Sequence, residues 1–477
     1  MANSNRPNVI FVLTDDQGPW AAGCCGNDEV RTPNIDRLAA TGVRFENFFC
    51  ASPVCSPARA SLMTGRIPSA HGVHDWIRDG NMPPEPARYL EGLTCYTDVL
   101  AANGYSVGLS GKWHLGDSLT PQHGFSHWFT LLTGGSRYND AEMIRDGKVE
   151  VQPGYLTDVI TDDALQFIDA NKDRPFYLSV NYNAPHTPFT GHPQDIVDSY
   201  DDCPFKTCPQ EAAHPWAVPG SRVHLGNRES LKGYFAAITA MDANVGRIID
   251  RLETLGLREN TLIIFSSDNG YSCGHHGFWH KGNGTFPLNM YENSVKVPFI
   301  LSHPGYLSTG RVTQAMASQY DFMPTLLEYL GLATPDDPLR PGRSFMPVLR
   351  GETNDAQHHV VIFDEYGPVR MIRAQEWKYV HRYPYGPHEL YDLVNDPDER
   401  KNLVNEKSRA ALVTEMQQQL AGWFDRYVRP ELDGARFQVT GAGQARKINP
   451  DVPGESAFHP IPENWQEGER RFFRPFS

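Results

Sequence analysis

The sequence predicts an α/β fold: a large, mostly parallel central sheet sandwiched by helices, then a small C-terminal subdomain of antiparallel sheet plus helix. Three observations carry this. Several short apolar runs end abruptly in polar residues, as parallel strands buried on both faces do. Helical periodicities separate those runs, which puts helices on both faces of one sheet. Towards the C-terminus the runs become short, partly alternating and closely spaced, which reads as antiparallel pairing.

The first run is Asn8–Thr14, leading into Asp15 and Asp16. Tyr105–Ser110 leads into Gly111, Lys112 and His114, and Phe176–Val180 is followed by Asn183, Pro185 and His186. Thr261–Ser267 leads into Asp268, Asn269 and Gly270. Between them, Ile35–Ala40, Asp158–Asn171 and Glu229–Leu255 read as helices. In the last, Leu231, Phe235, Ile238, Met241, Val245, Ile248, Leu252 and Leu255 step by three or four and form one buried stripe. Sites collect at the carboxyl ends of parallel strands. Asp15, Asp16, Lys112, His114, His186, Asp268 and Asn269, scattered in sequence, are therefore expected to be neighbours in space.

Val360–Phe363, Val369–Arg373 and Trp377–His381 read as the small antiparallel sheet, with a helix over Ser408–Tyr427 packed on it. The expected division is 1–355 and 356–477, with the tail after Arg429 wrapping the surface. No internal repeat is present.

The chain has 477 residues, 40% of them hydrophobic, which is enough for a large core. Its net charge of −14 argues against nucleic acid or an anionic membrane as the main partner, while a few local cations can still bind a small anion. No apolar stretch approaches the ~18 residues of a membrane span. The polar Met1–Asn8 segment reads as cytoplasmic, or as periplasmic or secreted if a leader has been removed. Eight cysteines are too few for a disulfide scaffold. Cys203 and Cys208 are close enough to bridge one loop.

The most informative segment is Cys55–Arg66, Cys-Ser-Pro-Ala-Arg-Ala-Ser-Leu-Met-Thr-Gly-Arg. Ser56 is a good N-cap, Pro57 suits the first helical position and Gly65 can end the helix. Cys55 then sits at a helix N-terminus that favours an anion, and Arg59 reaches back over the same turn. Alone, this reads either as a reactive low-pKa thiolate or as a buried cysteine before a helix. Asp15, Asp16, Asp268 and Asn269 offer only oxygen ligands, the donor set of a hard dication. His275, His276 and His280, with Cys273, match no zinc spacing and read as pocket-lining or solvated loop residues.

Cys-x-Pro-x-Arg followed by Ala-Ser-Leu-Met-Thr-Gly-Arg resembles the signature of the type I sulfatases, of the alkaline phosphatase-like superfamily. Further motifs follow in that family's order: Asn8–Asp16, Gly111-Lys-Trp-His-Leu-Gly116, Pro185-His186, Ser267-Asp-Asn-Gly270, and Lys281 before Tyr291–Pro298. Glu389–Leu393 with Asn395-Asp-Pro397 completes them. The resemblance implies that a maturation enzyme oxidises Cys55 to formylglycine (3-oxoalanine). It implies a divalent cation, Ca²⁺ before Mg²⁺, held by Asp15, Asp16, Asp268, Asn269 and the modified Cys55. It also implies the reaction. One hydroxyl of the formylglycine hydrate attacks sulfur in line. The alcohol leaves, protonated by His186 or Lys281. His114 takes the second hydroxyl's proton, sulfate departs and the aldehyde returns. Arg59, Lys112 and Lys281 neutralise the sulfate.

The substrate expected is a small sulfated carbohydrate. His74, Trp76 and Arg78 are candidates to bind it, with Trp279 and His280 beside Lys281, and Arg137 and Tyr138 as weaker ones. The alternative activity is a formylglycine-dependent phosphonate monoester or phosphodiester hydrolase. A decayed, non-catalytic binding protein or a plain cysteine hydrolase are rival readings.

Overall fold

The computed structural model describes residues 6–353, 361–449 and 456–462. Eight of its strands precede Asp268: β1 (Asn8–Asp15), β2 (Val43–Phe49), β3 (Ser106–Gly111), β4 (His127–Leu131), β5 (Asn139–Arg145), β6 (Lys148–Tyr155), β7 (Phe176–Pro185) and β8 (Thr261–Ser267). A short ribbon of β9 (Ser272–Cys273) and β10 (Trp279–His280) follows, then β11 (Phe299–Ser302) and β12 (Arg311–Ser318). All but the ribbon join one ten-stranded sheet, in the order β12-β2-β11-β8-β1-β7-β3-β4-β5-β6.

The centre, β8-β1-β7-β3-β4, is parallel throughout. Antiparallel neighbours flank it: β11 against β8 and β2, and the β4-β5-β6 meander. The sequence reading missed β5 and β6 because β6 is largely exposed and carries no apolar run.

Every residue of β1 is buried, and alternate side chains serve opposite layers. Val9, Phe11 and Leu13 join one core with the helix Cys55–Thr64, and Ile10 and Val12 join the other. That second core takes the stripe of the helix Arg228–Thr254 and the helix Leu156–Asn171. Asn227 caps the long helix by accepting the N–H of Ser230. No helix among the described residues is long and apolar enough to cross a membrane.

The second, four-stranded sheet is antiparallel: β13 (Val361–Tyr366), β14 (Val369–Ala374), β15 (Trp377–Arg382) and β16 (Glu389–Asp392). The helix Ala410–Tyr427 packs Met416, Leu420 and Phe424 onto Ile372, Tyr379 and Leu390. The division expected at 355/356 falls outside the described residues.

Two expectations change. Ser56 is not the N-cap of its helix. Val54 is, and Cys55 is the first helical residue. The Ser56 hydroxyl instead accepts the N–H of Ile77 at 2.9 Å. The tail does not simply wrap the surface, since Gln444 is fully buried against the segment after the Cys55 helix. The bridge left open between Cys203 and Cys208 is not formed, and both are free thiols.

Candidate active site

The four strands β8, β1, β7 and β3 are adjacent and parallel, so their carboxyl ends form one continuous edge. That edge carries Asp268, Asp15 with Asp16, His186, and Lys112 with His114. The helix Cys55–Thr64, buried along its whole length, brings Cys55 and Arg59 to the same place. Gly65 ends it with φ 68, a backbone state glycine takes without strain, and returns its N–H to the Ser61 carbonyl. Asp15, Asp16, Cys55, Arg59, Lys112, His186, Asp268 and Lys281 thus converge on one cluster.

Each carboxylate there meets one cation. Arg59 Nε donates to Asp268 Oδ2 at 2.9 Å and Lys112 Nζ to Asp15 Oδ2 at 2.5 Å. Lys281 Nζ binds Asp16 Oδ1 and also reaches Cys55 Sγ at 2.7 Å. Burial alone would raise the Asp15 and Asp16 carboxyls. The ammonium of Lys112 beside Asp15, that of Lys281 beside Asp16, and the His186 ring near both outweigh it and hold both below the ordinary carboxylate range. Burial pushes the Cys55 thiol up to about 12, against the pull of Lys112 and Lys281. The reactive thiolate suggested by the helix N-terminus alone is therefore not the form near neutral pH.

The site fits a hard dication. Oxygens of Asp15, Asp16 and Asp268 lie within 4.8 Å of one another. Asn269 Oδ1 is buried with no hydrogen-bond partner, while its amide donates to Asp16 Oδ1 at 2.8 Å. Arg59 Nη2 is similarly buried without a partner.

The two histidines are held differently. His114 Nε2 donates to the Ile77 carbonyl at 2.9 Å, which leaves the buried Nδ1 unpartnered and able to accept a proton. Burial, reinforced by the Lys112 charge, depresses its pKa well below the usual imidazole value. His186 Nδ1 donates to the Thr187 carbonyl at 2.8 Å, so Nε2 faces the pocket, 3.8 Å from Asp16 Oδ2. Its side chain is 21% exposed where Asp15, Lys112 and Asp268 are buried, placing it at the mouth.

The expected sugar-binding residues divide. His74 is fully buried and spends Nε2 on the Leu432 carbonyl. Trp279 is fully buried in the core with Phe189 and His224 against its ring. Neither presents a surface to a ligand, which corrects the expectation for both. Trp76 is half-buried and donates to the Gly441 carbonyl, Arg78 is exposed, and His280 is half-buried with Tyr271 donating or accepting at Nδ1. Arg137 binds the Asp140 carbonyl, and Tyr138 is buried with its hydroxyl on the His186 carbonyl. His276 is half-buried and stacks on Tyr291 at 4.0 Å.

Sequence reasoning missed Asn183 and the pair Gly134-Gly135. Asn183 Oδ1 is buried without a partner at the end of β7. A Cβ on Gly134 would strike the His114 ring at 2.2 Å, and one on Gly135 would meet His186 at 3.1 Å. The paired glycines just past β4 were the available signal.

Residues 7–332 match the family model described as Sulfatase, and residues 274–425 match N-sulphoglucosamine sulphohydrolase, C-terminal. The chain is 28% identical to the N-acetylglucosamine-6-O-sulfatase of Bacteroides thetaiotaomicron, over 87% of this chain and 86% of that protein. It is 29% identical to the ulvan-active sulfatase of Formosa agariphila, over 87% and 80%. A solved structure described as a complex with its substrate, D-glucosamine-2-N,6-O-disulfate, superposes with TM-score 0.76 at 26% identity, covering 89% of this chain and 98% of that one.

Proposed function

The chain belongs to the sulfatase family and is a sulfuric ester hydrolase, and from that premise we propose that it desulfates a small sulfated sugar through Cys55 matured to formylglycine. The observation that carries the chemistry is the cluster of Arg59, Lys112 and Lys281 around Cys55, each cation paired with a carboxylate. The likeness to proteins acting on N-acetylglucosamine 6-sulfate and glucosamine disulfate supports the sugar.

Asp15, Asp16, Asp268 and Asn269 would hold the divalent cation, Ca²⁺ in preference to Mg²⁺. Bound there, it supplies charge neutralisation to the sulfate and acidifies a hydroxyl. Formylglycine, as its hydrate, supplies the attacking hydroxyl and a second hydroxyl through which sulfate is released. The chain's own residues do the rest. Lys281, Lys112 and Arg59 bind the sulfate oxygens and hold them in line. His186 Nε2, at the mouth where the alcohol leaves, delivers the proton to the departing oxygen. His114 Nδ1, unprotonated and buried, accepts a proton during sulfate release. Trp76, Arg78 and His280 form the rim that meets the sugar.

The test is kcat/KM over a panel of sulfated mono- and disaccharides, with matched phosphonate monoesters beside them. A preference for one sulfated amino sugar over every phosphonate is expected. Faster turnover of a phosphonate ester would overturn the reading.

A further inference from the structure

The C-terminal tail enters the active site's support. Gln444 donates its N–H to the Trp76 carbonyl at 2.8 Å and accepts the N–H of Arg78 at 2.9 Å, forming a parallel bridge with Ile77 between them. Its side chain is fully buried and satisfied: Oε1 accepts from the His74 N–H at 2.9 Å, and Nε2 donates to the Gly72 and Arg446 carbonyls at 3.1 Å each. Next to it, the Gly443 N–H donates to Asp75 Oδ2 at 3.0 Å. Asp75 Oδ1 accepts from Tyr366 at 2.6 Å and from the Trp76 N–H at 2.9 Å. The tail thus grips residues 72–78 by both backbone and side chain.

Ile77, held on both sides by Gln444, is the link to chemistry. Its N–H binds Ser56, the residue after Cys55, and its carbonyl accepts from His114 Nε2. That second bond is what leaves His114 Nδ1 free. We propose that Gln444 is a positioning residue: it fixes Ile77, and through the Ile77 carbonyl the tautomer and orientation of His114. This rests on the reading of His114 as the base of the sulfatase reaction.

The test uses the full chain, with Gln444→Leu and Gly443→Ala made separately and each combined with His114→Ala. Gly443 has φ 112 and its Cβ would meet that of Arg78 at 2.8 Å, so Gly443→Ala displaces the same tail by a different route. Gln444→Leu should lower kcat on nitrophenyl sulfate roughly 10- to 100-fold, with KM little changed, because a small misplacement of a catalytic group costs that much. Hydrogen exchange of the Arg78 amide, which donates to the Gln444 carbonyl, should accelerate, which reads the grip directly without activity. In the His114→Ala background neither tail substitution should slow the enzyme further. A full additional loss there would overturn the proposal, as would unchanged kcat with a loosened Arg78 amide. If His114→Ala alone keeps full activity, the base assignment itself has failed, and that outcome is distinct from the other two.

Discussion

Lys281 Nζ stands 2.7 Å from Cys55 Sγ and on its other side binds Asp16. One ammonium therefore touches both Cys55, the proposed nucleophile position, and Asp16, a carboxylate of the proposed metal group. A charge so placed acts on the sulfate itself, whatever alcohol is leaving. Lys281→Met should lower kcat/KM about 10²- to 10³-fold on a sulfated sugar and on nitrophenyl sulfate alike. A loss confined to the sugar would make Lys281 the proton donor instead.

His186 should show the opposite pattern. A sugar hydroxyl needs a proton to leave, whereas nitrophenolate barely does. His186→Ala should cost roughly 10²- to 10⁴-fold, about 3–5 kcal/mol of barrier, on the sugar and far less on nitrophenyl sulfate. Equal losses on both substrates would assign the ring to holding the sulfate.

Chelation should abolish activity and lower the thermal midpoint, and Ca²⁺ or Mg²⁺ should restore both. Asp268→Ala should lose metal by elemental analysis together with turnover, since it removes a charged ligand. Asn269→Ala should weaken metal affinity too, because the unpartnered Oδ1 is the atom lost. Full activity of rigorously metal-free protein would contradict both.

Burial pushes the His74 imidazole down to about 4. A folded value below the unfolded one, about 6.5, means that the fold favours the neutral ring. That stability is complete above pH ~6.5 and is lost as pH falls towards ~4, by about 3 kcal/mol for this one residue. Urea unfolding of His74→Gln should show a shallower loss of stability across that window. An unchanged acid slope would show that His74 is not held neutral by the fold.

The central strands and the long helix were legible because continuous apolar runs and a 3.6-residue stripe are local patterns. So was the strand-end cluster, since adjacent parallel strands put Asp15, Lys112, His186 and Asp268 on one edge. β6 and β16 were not, the first being exposed and the second short. His74 and Trp279 misled because polar and aromatic types beside a motif suit a pocket and a core equally well, and only burial tells them apart. The role of Gln444 was invisible because its partners lie more than 360 positions earlier in the chain.

Everything in the mechanism passes through the state of Cys55. The decisive measurement is the mass of the peptide spanning Cys55–Arg66 from protein of measured specific activity, alongside Cys55→Ala. The account predicts formylglycine in proportion to activity, and an inactive Cys55→Ala variant with an unchanged thermal midpoint. Fully active protein whose Cys55 is entirely thiol would contradict it.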